Sequence, residues 1–99
     1  VEERYPPVEL VEIQDRVVPD NSFEDAYAIY FTLSYEPPLV WQERFEHLMQ
    51  REAKPRVTSF VGPALRVVIG RRENLESVFR QIEHLVRKTN IDLDFTGAS

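Results

Sequence analysis

The clearest pattern in the chain is a two-residue alternation from Ala26 to Tyr35. Tyr27, Ile29, Phe31, Leu33 and Tyr35 fall on one side, and Ala26, Ala28, Tyr30, Thr32 and Ser34 on the other, as in a strand with one core face. Glu36-Pro37-Pro38 ends it, because neither proline donates to a ladder, and Pro38 suits the first position of a helix. The period then changes. Trp41, Phe45, Leu48 and Met49 lie at i, i+4, i+7 and i+8, predicting a helix over Leu39 to Glu52 that stops at Lys54-Pro55.

Upstream, Val8 to Val18 is rich in β-branched residues. Val11, Ile13, Asp15 and Val17 share one side while Val8 and Leu10 take the other, which predicts a strand that either shifts register at a bulge near Leu10 or is two-sided. Pro19-Asp20-Asn21-Ser22 predicts a turn. Downstream, Val57 to Val61 and Leu65 to Ile69 read as two strands joined by a reversal at Gly62-Pro63. Asn74 then caps a second helix with Leu75, Val78, Phe79, Ile82, Leu85 and Val86 on one stripe. Glu76 with Arg80 and Glu83 with Arg87 form i, i+4 pairs, Arg87-Lys88 suit the last turn, and Asn90 is expected to close the helix. Ile91, Leu93 and Phe95 alternate with Asp92 and Asp94, which predicts an optional short edge strand. The run Phe45-Glu46-His47-Leu48 returns as Ile82-Glu83-His84-Leu85, 37 residues later. The preceding strands do not match at that offset, so the echo reads as two amphipathic helices converging on one pattern.

The predicted fold is α+β, a two-layer sandwich in ββαββα order: a mostly antiparallel sheet of three to five strands with both helices on one face. Residues 1–99 are expected to form a single domain, with 1–7 as an extended lead-in and 96–99 as a flexible tail.

Composition narrows the chemistry. With 99 residues and no cysteine, the core must hold without disulfides or a zinc knuckle. Apolar runs such as Val67-Val68-Ile69 fall far short of the roughly 20 residues of a membrane helix, so no membrane partner is expected. The opening Val1-Glu2-Glu3 has no basic-then-apolar leader, which gives cytoplasmic as the expected location. The net charge of −5 conceals an asymmetry, with −8 over residues 1–49 and +3 over residues 50–99. Indiscriminate nucleic-acid binding does not fit that total, while a local basic face remains compatible with it.

Catalytic sets are absent from the pattern. His47 and His84 each sit two residues from a core position, about 200° around a helix, and are expected to face solvent with no second ligand nearby. Ser34, Ser59 and Ser77 lack a Gly-x-Ser-x-Gly elbow, and three glycines build no phosphate-cradling loop. Adjacent carboxylates such as Glu24 and Asp25 are ordinary on a surface. No enzyme activity, cofactor or metal is therefore expected.

Two features point to binding. Tyr30, Thr32 and Val68 lie on the strand face opposite the predicted core, a half-apolar surface suited to a protein partner or a second copy of the chain. Arg66, Arg71 and Arg72 flank a helix start, and with Arg80, Arg87 and Lys88 they form a candidate anion or nucleic-acid contact. The run Leu33-Ser34-Tyr35-Glu36-Pro37-Pro38-Leu39-Val40-Trp41, followed by Phe45, resembles a pattern of small uncharacterised bacterial domains in which a strand, Leu-Ser-x-x-Pro-Pro-x-x-Trp and a helix occur together. That resemblance implies a helix started by prolines and anchored by a tryptophan, and brings no catalytic residue or cofactor. The expectation from sequence is a non-catalytic interaction or assembly domain using an open sheet face or an edge strand, with nucleic-acid or anion binding as the alternative.

Overall fold

A computed structural model describes residues 5–95. The predicted tail at 96–99 and the first part of the lead-in lie outside the described residues. Four strands, β1 (Leu10–Pro19), β2 (Ala26–Leu33), β3 (Thr58–Val61) and β4 (Ala64–Gly70), and two helices, α1 (Leu39–Gln50) and α2 (Leu75–Asp92), follow in the order β1 β2 α1 β3 β4 α2. This is the α+β arrangement that the hydrophobic periods predict. The strands form one antiparallel sheet in the order β1-β2-β4-β3.

Register decides which side chains enter the core. Ile29 pairs with Val67, Phe31 with Leu65 and Tyr27 with Ile69, so these alternate positions of β2 and β4 share one face. Both helices pack on it. Trp41, Phe45, Leu48 and Met49 of α1 and Val78, Ile82, Leu85 and Val86 of α2 join Ile29, Phe31, Leu65, Val67 and Ile69 in one buried cluster. Phe60 of β3 meets the rings of Trp41 and Phe45 edge-on, at 6.0 and 5.7 Å between centroids, and so locks α1 over the β3 side. Phe79 lies 6.2 Å from Phe31, which sets α2 over β2.

Elements end where local chemistry permits. Asn74 accepts from the backbone N–H groups of Glu76 and Ser77 and caps α2 as the sequence predicts. Pro38 stands just outside α1 as its N-cap, with no side-chain hydrogen bond, and Leu39 is the first helical residue. Gly62 takes φ +58° in the two-residue β3–β4 reversal with Pro63, a backbone shape that residues with a Cβ adopt at a cost.

Several boundaries differ from the sequence pattern. Helix α1 stops at Gln50 rather than Glu52. Strand β2 ends at Leu33 rather than Tyr35, whose hydroxyl instead donates to the Pro6 carbonyl at 2.6 Å. Helix α2 does not close at Asn90. It continues to Asp92, and the N–H groups of Asp94 and Phe95 return to the carbonyls of Ile91 and Asn90, with Asp94 at φ +58°. This closing turn occupies the segment where an optional strand is predicted, and no strand forms there. Three alternating residues are a weaker constraint than the burial of Thr89 and Asn90 on the core side of the helix.

Strand β1 carries two irregularities. One lies between Leu10 and Glu12, the bulge that is one of the two alternatives the pattern leaves, and a second lies between Ile13 and Val17, where four β1 positions span only two on β2. The second lifts Gln14 to Arg16 out of simple alternation. Asp15 therefore does not share a regular face with Ile13 and Val17.

Candidate functional site

The sheet face away from the helices carries Ala28, Tyr30 and Thr32 of β2 and Ala64, Arg66 and Val68 of β4, paired across the strands. No helix or strand of the described residues covers it as a second layer. Its centre is nevertheless closed by long side chains. The guanidinium of Arg16 lies over the Tyr30 ring, 4.6 Å from its centroid. The Gln14 side-chain amide donates to the Thr32 hydroxyl at 3.1 Å. Arg66 turns toward the β1–β2 turn and forms an ion pair with Asp20. The Asp20 carboxylate also accepts from the Ser22 hydroxyl and, at 2.8 Å, from the Ser22 N–H. The Ser22 hydroxyl first and Arg66 second hold the Asp20 carboxyl down at about 2.

Tyr30, Thr32 and Val68 are thus in the predicted place but not in the predicted state. Tyr30 is only 9% exposed and Val68 3%, while Thr32 is half-buried with its hydroxyl engaged. The irregular middle of β1, whose position the sequence pattern does not reveal, delivers Gln14 and Arg16 onto them. Accessible apolar surface on this face lies instead along the β3 edge, where Val57, just before the strand, and Val61, at its end, are 55% and 56% exposed.

Strand β3 is a sheet edge. Val68 donates to the Val57 carbonyl at 2.9 Å, and Thr58 pairs with Val67 and Phe60 with Leu65. In an antiparallel ladder the bonded and non-bonded pairs alternate, so the N–H and C=O groups of Thr58 and Phe60 point away from β4. Beside them runs a groove of about 530 Å³ between β3 and α1, lined by Glu43, Glu46, His47, Gln50, Val57 and Thr58. Two carboxylates and no lysine or arginine line it.

The six basic candidates do not share a face. Arg66 points to the side of the sheet away from the helices and is tied to Asp20. Arg80 and Arg87 are on α2, paired with Glu76 at 2.6 Å and with Glu83 at 3.5 Å. Lys88 is exposed about a quarter-turn away on the same helix. Arg71 and Arg72 flank a cavity of about 610 Å³ whose other lining residues include Glu24, Asp25 and Glu73. Glu73 itself is saturated. Burial alone would raise its carboxyl, but the Lys54 ammonium at 2.8 Å, the Gly70 N–H at 2.7 Å and the Arg56 guanidinium outweigh that and hold it at about 2.

His47 and His84 are exposed, as their helical positions predict. Among the described residues, no three His, Asp or Glu side chains gather where they could hold a metal ion. A further cavity, about 480 Å³, opens between the start of β1 and α2 and is lined by Val8, Leu10, Glu83, Val86, Arg87 and Asn90. Its polar floor is already occupied. The Asn90 side-chain oxygen accepts from the Val8 N–H at 3.0 Å and the Trp41 indole N–H at 2.9 Å, and its amide donates to the Val8 carbonyl at 2.9 Å. That leaves Asn90 a clamp between segments rather than a ligand-binding group.

Comparison with protein-family models, with curated proteins and with solved structures finds no match to this chain. The Leu33 to Trp41 run therefore contributes its structural content alone: Trp41 is fully buried and held by Asn90, and Pro38 marks the helix start.

Proposed function

We propose that this chain is a non-catalytic protein-interaction domain that takes an extended partner segment along the edge of β3. The observation that carries the reading is the outward-facing backbone of Thr58 and Phe60, a template for one more strand that no strand of the described residues takes up. Its surroundings support it. Val57 and Val61 offer apolar contacts on one side of the added strand, and Glu43 and Glu46 favour basic side chains on the other. The opposite edge is a poorer template, because β1 is broken by two irregularities.

The test uses the intact chain. Amide exchange is expected to be fast at Thr58 and Phe60 and slow at Ser59 and Val61, and peptides selected from a random display library should protect the first pair. Thr58→Pro removes an outward N–H without breaking a bond to β4, so it should abolish peptide binding while leaving the circular dichroism unchanged. Selected peptides that bind Thr58→Pro as tightly as the parent chain would overturn the reading.

A further inference from the structure

The side of the molecule opposite β3 carries an apolar strip that the described residues leave uncovered. Ile13 and Val17 pair with Phe31 and Ile29 and so belong to the helix-bearing face of the sheet. They remain 41% and 63% exposed, because α2 sits over β2 and does not roof β1. Leu75, 47% exposed, and half-buried Phe79 continue the strip onto the first turns of α2.

Next to this strip, Glu76, Arg80, Glu83 and Arg87 lie at i, i+4, i+7 and i+11, within a band about 60° wide on α2. Their order is acid, base, acid, base. Glu76 and Arg87 are equidistant from the midpoint between Gln81 and Ile82, and so are Arg80 and Glu83. Laid antiparallel against itself about that midpoint, the band sets every acid opposite a base. A parallel pairing in register would set like against like. Arg80 and Arg87 already pair with Glu76 and Glu83 within the helix. The same order lets these groups bridge to a second copy laid antiparallel but not to one laid parallel.

From this self-complementarity we infer that a second copy of the chain packs on the α2–β1 face about a two-fold axis, with the two α2 helices antiparallel, Glu76 facing Arg87 and Arg80 facing Glu83 across the interface. The strip of Ile13, Val17, Leu75 and Phe79 supplies the apolar area, and the band supplies direction, since exposed ion pairs alone hold little. The surface lies at the other end of the sheet from β3, so this interface and the peptide-binding edge stand independently.

Sedimentation equilibrium of the full chain, from about 1 μM to about 1 mM, tests it. The parent chain should pass from monomer to dimer. Arg80→Glu alone sets Glu against Glu83 twice across the axis, and Glu83→Arg alone sets Arg against Arg80 twice. Each should weaken association about tenfold or more. An equimolar mixture of the two variants restores both attractions and should dimerise more tightly than either variant by itself, a result no folding defect produces. Val17→Asp should leave a monomer with unchanged circular dichroism, and Thr58→Pro should leave the dimer intact. A parent chain that is monomeric throughout overturns the inference. So does a mixture no tighter than its components, or a dimer lost on Thr58→Pro and kept in the charge variants.

Discussion

At the scale of single residues, the most consequential side chain is one that the hydrophobic pattern treats as punctuation. Asn90 reads as a helix stop, yet it sits within α2 and joins the entry to β1, through both backbone groups of Val8, to the Trp41 indole of α1. Three elements meet on one amide. Removing it strands a buried indole N–H and two backbone groups, so Asn90→Ala should cost about 3 kcal/mol in urea unfolding. Asn90→Asp keeps the acceptor but loses the donor to Val8, and should also destabilise. These partners lie 82 and 49 positions away, beyond the reach of any local motif. Gly62 is the opposite case and is legible from its neighbours. A Cβ there meets nothing within 4 Å, so only its φ of +58° resists substitution. Gly62→Ala should therefore cost about 1–2 kcal/mol with no change of core packing, measurable as a shift in the denaturation midpoint.

At the scale of elements, periodicity identifies every strand and helix of the described residues, and its failures share a cause. The helical stripe of α2 is visible because six apolar side chains repeat at 3.6 residues, whereas its last turns are held by Thr89 and Asn90, polar residues that carry no hydrophobic signal. Asn90 thus looks like an end although it is buried. The β1 pattern likewise allows a shift near Leu10 without deciding it against a two-sided strand, and conceals the one between Ile13 and Val17, because looped-out residues in an edge strand face no core that would constrain their type. That concealed shift matters most for the candidate surface. It places Gln14 and Arg16 over Thr32 and Tyr30 and turns a predicted open face into a covered one. Composition and alternation report which face a residue takes; they do not report what a neighbouring strand lays over it.

At the scale of the whole molecule, two carboxylates tie distant segments together, and one of these ties joins the acidic first half of the sequence to the basic second half. Asp20 from the first half holds Arg66 from the second, while Glu73 collects Lys54, Arg56 and the Gly70 N–H at the start of α2. Both carboxyls are held at about 2, below their ordinary values of 3.8 and 4.5. A depressed acid contributes stability that is complete above its unfolded value and is lost as pH falls through the folded one. Resistance to urea should therefore be level above about pH 5 and decline toward pH 2. In the double variant Asp20→Asn, Glu73→Gln the chain should start less stable and lose less over the same interval. A decline as steep as that of the parent chain would mean that other groups govern it.

Exchanging the first ββα unit with the second leaves the strand order β1-β2-β4-β3 the same read from its other end. The correspondence extends to side chains. Trp41, Phe45, Leu48 and Met49 match Val78, Ile82, Leu85 and Val86 at a spacing of 37 residues, and Ala28, Ile29, Phe31 and Leu33 match Ala64, Leu65, Val67 and Ile69 at 36. That difference of one residue is why the echo in the sequence stops at the helices. The two ββα units thus meet along the seam of β2 and β4 in a pseudo-two-fold arrangement, though β1 is longer than β3 and α2 longer than α1. Each half on its own would expose the inner edge of its second strand, and in the described residues the ladder between β2 and β4 closes both edges at once.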